Sequence, residues 1–186
     1  MTNVAFKRID AEWIDEPAAA FDAVVCRWGL MFPADPEAAM RECRRVLRPG
    51  GRLATSAWTT EEENPWMSLI GAELYEQGLV GDAEPDAPGP MRFARPPGRL
   101  RDLLDGAGFQ DVEVDTLELT VEFPSFDAYW DSQSSRSFRT SQALALTDDR
   151  GRAALRAGVE RRVEPYRQVD GTLRFPVRPL VAAATA

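Results

Sequence analysis

Polar and apolar positions change their period several times along this chain, and each change marks an element. Residues 22–27, "DAVVCR", form a short apolar run of β-branched character ending on a polar residue, as expected of a parallel-type strand covered on both faces. Asp35-Pro36 then opens a helix, with Asp as N-cap, Pro in the first turn and Glu37 at the positive helix end. Ala39, Met40, Cys43, Val46 and Leu47 recur at spacings of three and four, so one face of this helix packs on a sheet. Pro49-Gly50-Gly51 reads as the turn that ends the helix, and "RLATSAW" to Trp58 as the next strand. The order strand, helix, strand predicts two parallel neighbours joined by a helical crossover.

Downstream, 65–78 is periodic as a helix, and 80–98, rich in Pro, Gly and Asp, as a loop. "PPGRLRDLLDGAGF" predicts a compact helix. "DVEVDTLELTVEF" alternates apolar residues with acids and predicts a strand with one wet face. Residues 125–145 suggest short helices and 148–166 a longer one. A last strand over 172–182, interrupted by Pro176 and Pro179, would pair antiparallel with the strand at 111–122. A short strand is also expected at 4–9. The whole reads as one α/β domain over 1–186, with about 123–170 a helical insertion or cap before the last strand.

Composition narrows the chemistry. A net charge of −8, with Lys7 as the only lysine, disfavours a nucleic-acid partner. No apolar run approaches the roughly 18 residues of a membrane helix, so no membrane partner is expected. Cys26 and Cys43 form neither a CxxC pair nor a disulfide framework, which fits a cytoplasmic location. The chain contains no histidine, which removes Ser-His and Cys-His nucleophile pairs and imidazole-ligated metals. No metal site is expected, and no catalytic acid or base can be named.

Four segments, "DAEWI" at 10–14, "FDAVVCRWGLMF" at 21–32, "RVLRPGGRLATSAW" at 45–58 and "RLRDLLDGAGFQDVEV" at 99–114, together resemble the class I S-adenosylmethionine-dependent methyltransferases, closest to the ubiquinone/menaquinone-biosynthesis-like branch. The resemblance implies a Rossmann-like methyltransferase fold with parallel strands and a C-terminal antiparallel pair. The sequence lacks that family's N-terminal Gly-rich cofactor loop and the acidic residue that ends its second strand. It reads as an N-terminally truncated version of the fold.

The resemblance implies S-adenosylmethionine as cofactor, bound weakly or not at all without the Gly-rich loop. Asp10 would accept a hydrogen bond from the adenine amine, with the backbone of Ala11 and Glu12 nearby. Arg27, Trp28 and Gly29 follow the strand beside which ligands bind in open α/β sheets, and Gly29 lets the chain pass close to a ligand. Phe32 and Trp58 are candidates for the wall of a small-molecule acceptor site. The rival reading is a methyltransferase-like domain without catalysis, acting as an interaction module or as a fragment of a longer enzyme. Truncation would leave the strand at 22–27 with an unpaired edge, to be covered by residues 3–9, by a homodimer or by strand exchange.

Overall fold

The computed structural model describes residues 3–81, 93, 98–135 and 138–186. Clustering of the backbone divides the chain into two compact units. One comprises Met1–Thr60, Pro88–Leu117 and Pro179–Ala186, and the other Glu61–Ala87 and Glu118–Arg178.

The first unit is built on a four-stranded mixed sheet. Its strands are β1 (Phe21–Arg27), β2 (Leu47–Trp58), β3 (Gln110–Thr116) and β6 (Pro179–Thr185), in the order β1-β2-β6-β3. β1 and β2 run parallel, with Val24 opposite Leu53 and Cys26 opposite Thr55, and helix α1 (Pro36–Val46) joins them as expected. β6 lies antiparallel to both β2 and β3.

Helix α1 follows its sequence rules closely. The Asp35 carboxylate caps the Ala38 N–H at 2.8 Å, Pro36 occupies the first turn, and Ala39, Met40, Cys43 and Val46 are buried. The buried positions pack with Leu53 and Ala57 of β2, Ala182 and Ala184 of β6, and Leu100, Leu103 and Leu104 of helix α3 (Arg99–Gly106) into one core. That core covers a single face of the sheet. On the other face, Ala23, Val25 and Arg27 of β1 and Arg52 and Ala54 of β2 are exposed, alternating with half-buried Val24 and Cys26 and buried Leu53, while at the start of β1 both Phe21 and Asp22 are exposed.

The second unit holds helices α2 (Pro65–Glu76), α4 (Phe126–Ser134), α5 (Phe138–Leu146) and α6 (Asp149–Val163), a 3₁₀ turn (Glu164–Tyr166), and an antiparallel pair, β4 (Leu119–Phe123) with β5 (Leu173–Val177). Its core is aromatic. Phe123, Tyr129 and Phe175 meet at ring centroids of 5.1–6.0 Å, and the Tyr129 hydroxyl donates to the Trp66 carbonyl.

Three expectations need correction. Residues 4–9 form no strand, because no neighbouring strand pairs with them; Val4, Phe6 and Ile9 stay exposed. Pro49-Gly50-Gly51 makes no separate turn. The chain passes from α1 directly into β2, and the extra residues are absorbed where the β1–β2 register jumps between Phe21 and Ala23. The single strands expected at 111–122 and 172–182 are each two, β3 with β4 and β5 with β6, broken at Leu117-Glu118 and at Arg178. Both halves still pair antiparallel. The expected loop at 80–98 falls almost wholly outside the described residues. Among the described residues, no helix is long and apolar enough to cross a membrane.

Candidate functional site

The C-terminal end of β1 organises the candidate site. Beyond Arg27 the backbone reverses at Trp28, whose φ of 61° lies in the left-handed region that costs a bulky residue steric strain. Two contacts hold it there. Its N–H donates to the Ser56 hydroxyl at 3.2 Å, and its indole stacks on that of Trp58, with centroids 4.0 Å apart and planes within 7°. Gly29 follows with no room for a side chain, since a Cβ there would lie 2.5 Å from the Cys26 sulfur. Leu30 and Met31 turn inward and are buried, whereas Phe32 is 65% exposed.

The segment 8–13 faces this corner. Asp10 forms a compact turn: its Oδ1 accepts from the Glu12 N–H at 2.9 Å, and its carbonyl accepts from the Trp13 N–H at 3.2 Å. The Asp10 carboxylate thus shapes its own loop, with one oxygen engaged among the described residues. Glu12 acts elsewhere. Its carboxylate accepts from the Ala34 and Asp35 N–H groups at 2.7 and 3.2 Å, tying the turn to the start of α1.

Between these segments lies an open pocket of about 550 Å³ lined by Arg8, Ile9, Asp10, Ala11, Gly29, Phe32 and Pro33. That volume is in the range of small-molecule sites. The structure therefore brings four sequence-predicted residues, Asp10, Ala11, Gly29 and Phe32, onto one pocket. Glu12, Arg27, Trp28 and Trp58 are not among its lining residues. Trp28 and Trp58 form a stacked wall at the ends of β1 and β2, and Arg27 is an exposed cation beside it.

One group of residues escaped the sequence reading. Arg45 of α1 donates to the carbonyls of Glu16 and Ile14 at 2.8 and 2.6 Å and pairs with Glu42 at 2.7 Å. Glu42 in turn accepts from the Ile14 N–H at 2.8 Å. The Arg45 hydrogen bond, joined by the Ile14 N–H, holds the Glu42 carboxyl below its ordinary range despite partial burial. This clamp fixes residues 14–16, which follow directly on the Asp10 turn. The spacing of Glu42 and Arg45 by three on one helix was the available signal. Cys43 next to them is inert by contrast, with burial pushing its thiol up to about 11.

Residues 2–55 match the family described as Methyltransferase domain. A ubiquinone biosynthesis O-methyltransferase of Idiomarina loihiensis is 27% identical over 103 residues, 55% of this chain and 40% of that protein. A ubiquinone/menaquinone biosynthesis C-methyltransferase of Cellvibrio japonicus is 41% identical over 51 residues, 27% of this chain and 20% of that protein. The chain thus spans less than half the length of these curated relatives. Among solved structures, the YcgJ protein of Bacillus subtilis superposes with a TM-score of 0.55 at 15% identity, covering 98% of this chain and 71% of that one, which supports the fold alone. Over residues 2–55 the chain is thus similar to the methyltransferase domain family, and its fold is similar to that of Rossmann-like methyltransferases.

Proposed function

We propose that this chain takes part in S-adenosylmethionine-dependent methyl transfer to a small-molecule acceptor in the cytoplasm. The observation that carries the reading is the convergence of Asp10, Ala11, Gly29 and Phe32 on one open pocket at the carboxyl end of β1. The donor set suits an adenosine group. A carboxylate complements the exocyclic amine, which is an obligate hydrogen-bond donor, and Ala11 and Gly29 offer small, closely approachable backbone.

Bound there, the cofactor would supply a methyl group activated by its sulfonium, open to in-line displacement by an acceptor. The protein's share is mainly to position the partners and exclude water. Asp10 would orient the adenine end. The Trp28–Trp58 stack lies beside the site, and Phe32 gives an exposed aromatic surface at its rim. The acceptor's proton leaves to solvent or to a base that none of these residues supplies.

The test is calorimetric titration of the chain with S-adenosylhomocysteine. Without a Gly-rich loop several hydrogen bonds of roughly 0.5–1.5 kcal/mol each are lacking, so affinity should be weak, by two or more powers of ten. Asp10→Ala should weaken it further. Weak binding unchanged by Asp10→Ala retires the adenine role. No binding at all favours the second reading, a methyltransferase-like domain acting as an interaction module or as a fragment of a longer enzyme. The open outer face of the β1–β2 sheet is the observation that supports that alternative.

A further inference from the structure

Helices α1 and α3 lie side by side in the first unit. Arg99 Nη2 stands 3.8 Å from Glu37 Oε1 near their starts, and Arg44 Nε donates to the Gly108 carbonyl at 3.4 Å near their ends. Between them is a cleft of about 310 Å³, in the range of small-molecule sites. It shares no residue with the pocket at the end of β1. Its floor is apolar. Leu103 is buried there, Ala107 is half-buried, and a Cβ added to Gly106 would meet nothing within 4 Å.

Charge selects what the cleft can hold. Glu37 and Arg41 line it one turn apart on α1, and Arg99 and Asp102 one turn apart on α3. Arg99 meets Glu37, and Arg41 meets Asp35, only at 3.8 Å, beyond hydrogen-bond reach. Asp102 makes no ion pair among the described residues. Arg99 Nε is buried without a hydrogen-bond partner, which leaves that guanidinium under-satisfied. Two cations and two anions thus face one space and sum to zero. A simple anion drawn to the guanidiniums would lie beside two carboxylates, and a simple cation would meet the converse. A zwitterion answers all four groups, its carboxylate accepting from Arg41 and Arg99 and its ammonium donating to Glu37 and Asp102. Each end then ties α1 to α3.

We propose that the cleft between α1 and α3 binds a free α-amino acid with an apolar side chain. Such a molecule carries its two charges on neighbouring atoms, as a cleft this small demands, and its side chain lies over Leu103, Gly106 and Ala107. The cleft is a second site, and the inference does not depend on cofactor binding at the first.

NMR titration of the chain with L-leucine tests it. The expected result is a saturable shift of the Gly106 and Ala107 amides. Two analogues keep the leucine side chain and lose one charge each: 4-methylpentanoate lacks the ammonium and 3-methylbutylamine the carboxylate. Each should bind about tenfold or more weakly than leucine. Arg41→Gln and Asp102→Asn, both at exposed positions, should each weaken leucine about tenfold. Should either variant fail to fold, the comparison of leucine with its analogues on the unaltered chain decides alone. The proposal is overturned by the absence of a saturable shift with leucine, by an analogue that binds as tightly, or by binding that neither substitution weakens. Shifts confined to the Ala11 and Gly29 amides would put the amino acid in the β1 pocket and overturn it as well.

Discussion

Trp28 and Trp58 stack almost face to face, and the stack holds Trp28 in a left-handed backbone conformation. Strain of this kind costs on the order of 1–3 kcal/mol, and an aromatic pair returns about 0.5–1.5 kcal/mol beyond its buried area. Trp58 is 9% exposed, so Trp58→Ala should cost about 3–5 kcal/mol, of the order of other large aromatic truncations. Trp28→Gly should cost clearly less, because glycine adopts φ of 61° without strain and part of the loss is returned. Urea unfolding of both variants checks the order; an equal loss would mean that Trp28 stores no strain.

Gly29 is required by the sulfur of Cys26 and not by its own φ. An added Cβ would sit 2.5 Å from that atom. Gly29→Ala should therefore destabilise by about 1–3 kcal/mol, as overpacked sites do. In a Cys26→Ala background the same substitution should be nearly neutral. The double-mutant cycle measures the coupling directly. If the cost persists without the sulfur, backbone and not side-chain crowding fixes the glycine.

Much of this corner was legible in the sequence. Asp35-Pro36 and the apolar positions from Ala39 to Val46 gave α1 by capping and periodicity, and "DAVVCR" with "RLATSAW" gave the parallel pair. Local rules suffice where one element satisfies them alone. What was not legible depends on pairing. Residues 4–9 have strand composition, yet a strand exists only if a neighbour accepts its hydrogen bonds, and composition does not name one. The breaks at Leu117-Glu118 and Arg178 fall opposite one another in paired segments, and alternation along one segment does not show where its partner breaks. Asp10 was read from resemblance as a ligand to adenine. That its carboxylate also builds the turn follows from the spacing to Glu12, which the sequence contains but does not single out.

The Glu42–Arg45 clamp predicts a local dynamic effect. Glu42→Ala removes the acceptor for the Ile14 N–H and one partner of Arg45, whose remaining bonds go to the Ile14 and Glu16 carbonyls. Exchange at the Ile14 amide should accelerate at least tenfold, while the Val46 amide in the last turn of α1 stays slow. Arg45→Lys should loosen the same loop, because an ammonium lacks the planar fork that reaches two carbonyls and a carboxylate together. Exchange measured by NMR on both variants tests the clamp. Unchanged protection at Ile14 would show that the loop holds itself.

In the second unit, Glu73 should contribute to the loss of stability in acid. It is 5% exposed on α2, with Arg162 Nε donating to it at 2.6 Å and Gln77 Nε2 at 2.8 Å, and a Cβ on Gly158 would come within 1.9 Å of its carboxylate. Burial alone would raise its pKa. The hydrogen bonds from Arg162 and Gln77, with the charges of Arg162 and Arg161, more than offset this, and the folded value lies below the ordinary one. A carboxyl whose folded pKa is depressed stabilises the fold above its unfolded pKa of about 4.3, and that contribution is lost as pH falls through the folded value. Glu73→Gln should cost about 2 kcal/mol at neutral pH, less than a fully buried pair because the Arg162 side chain is 31% exposed. The difference from the unaltered chain should shrink steadily below about pH 4, where the native carboxyl itself takes up a proton. Urea unfolding of both chains from pH 7 downwards gives the two curves. Parallel curves would mean that Glu73 contributes through packing against Gly158 and not through its charge.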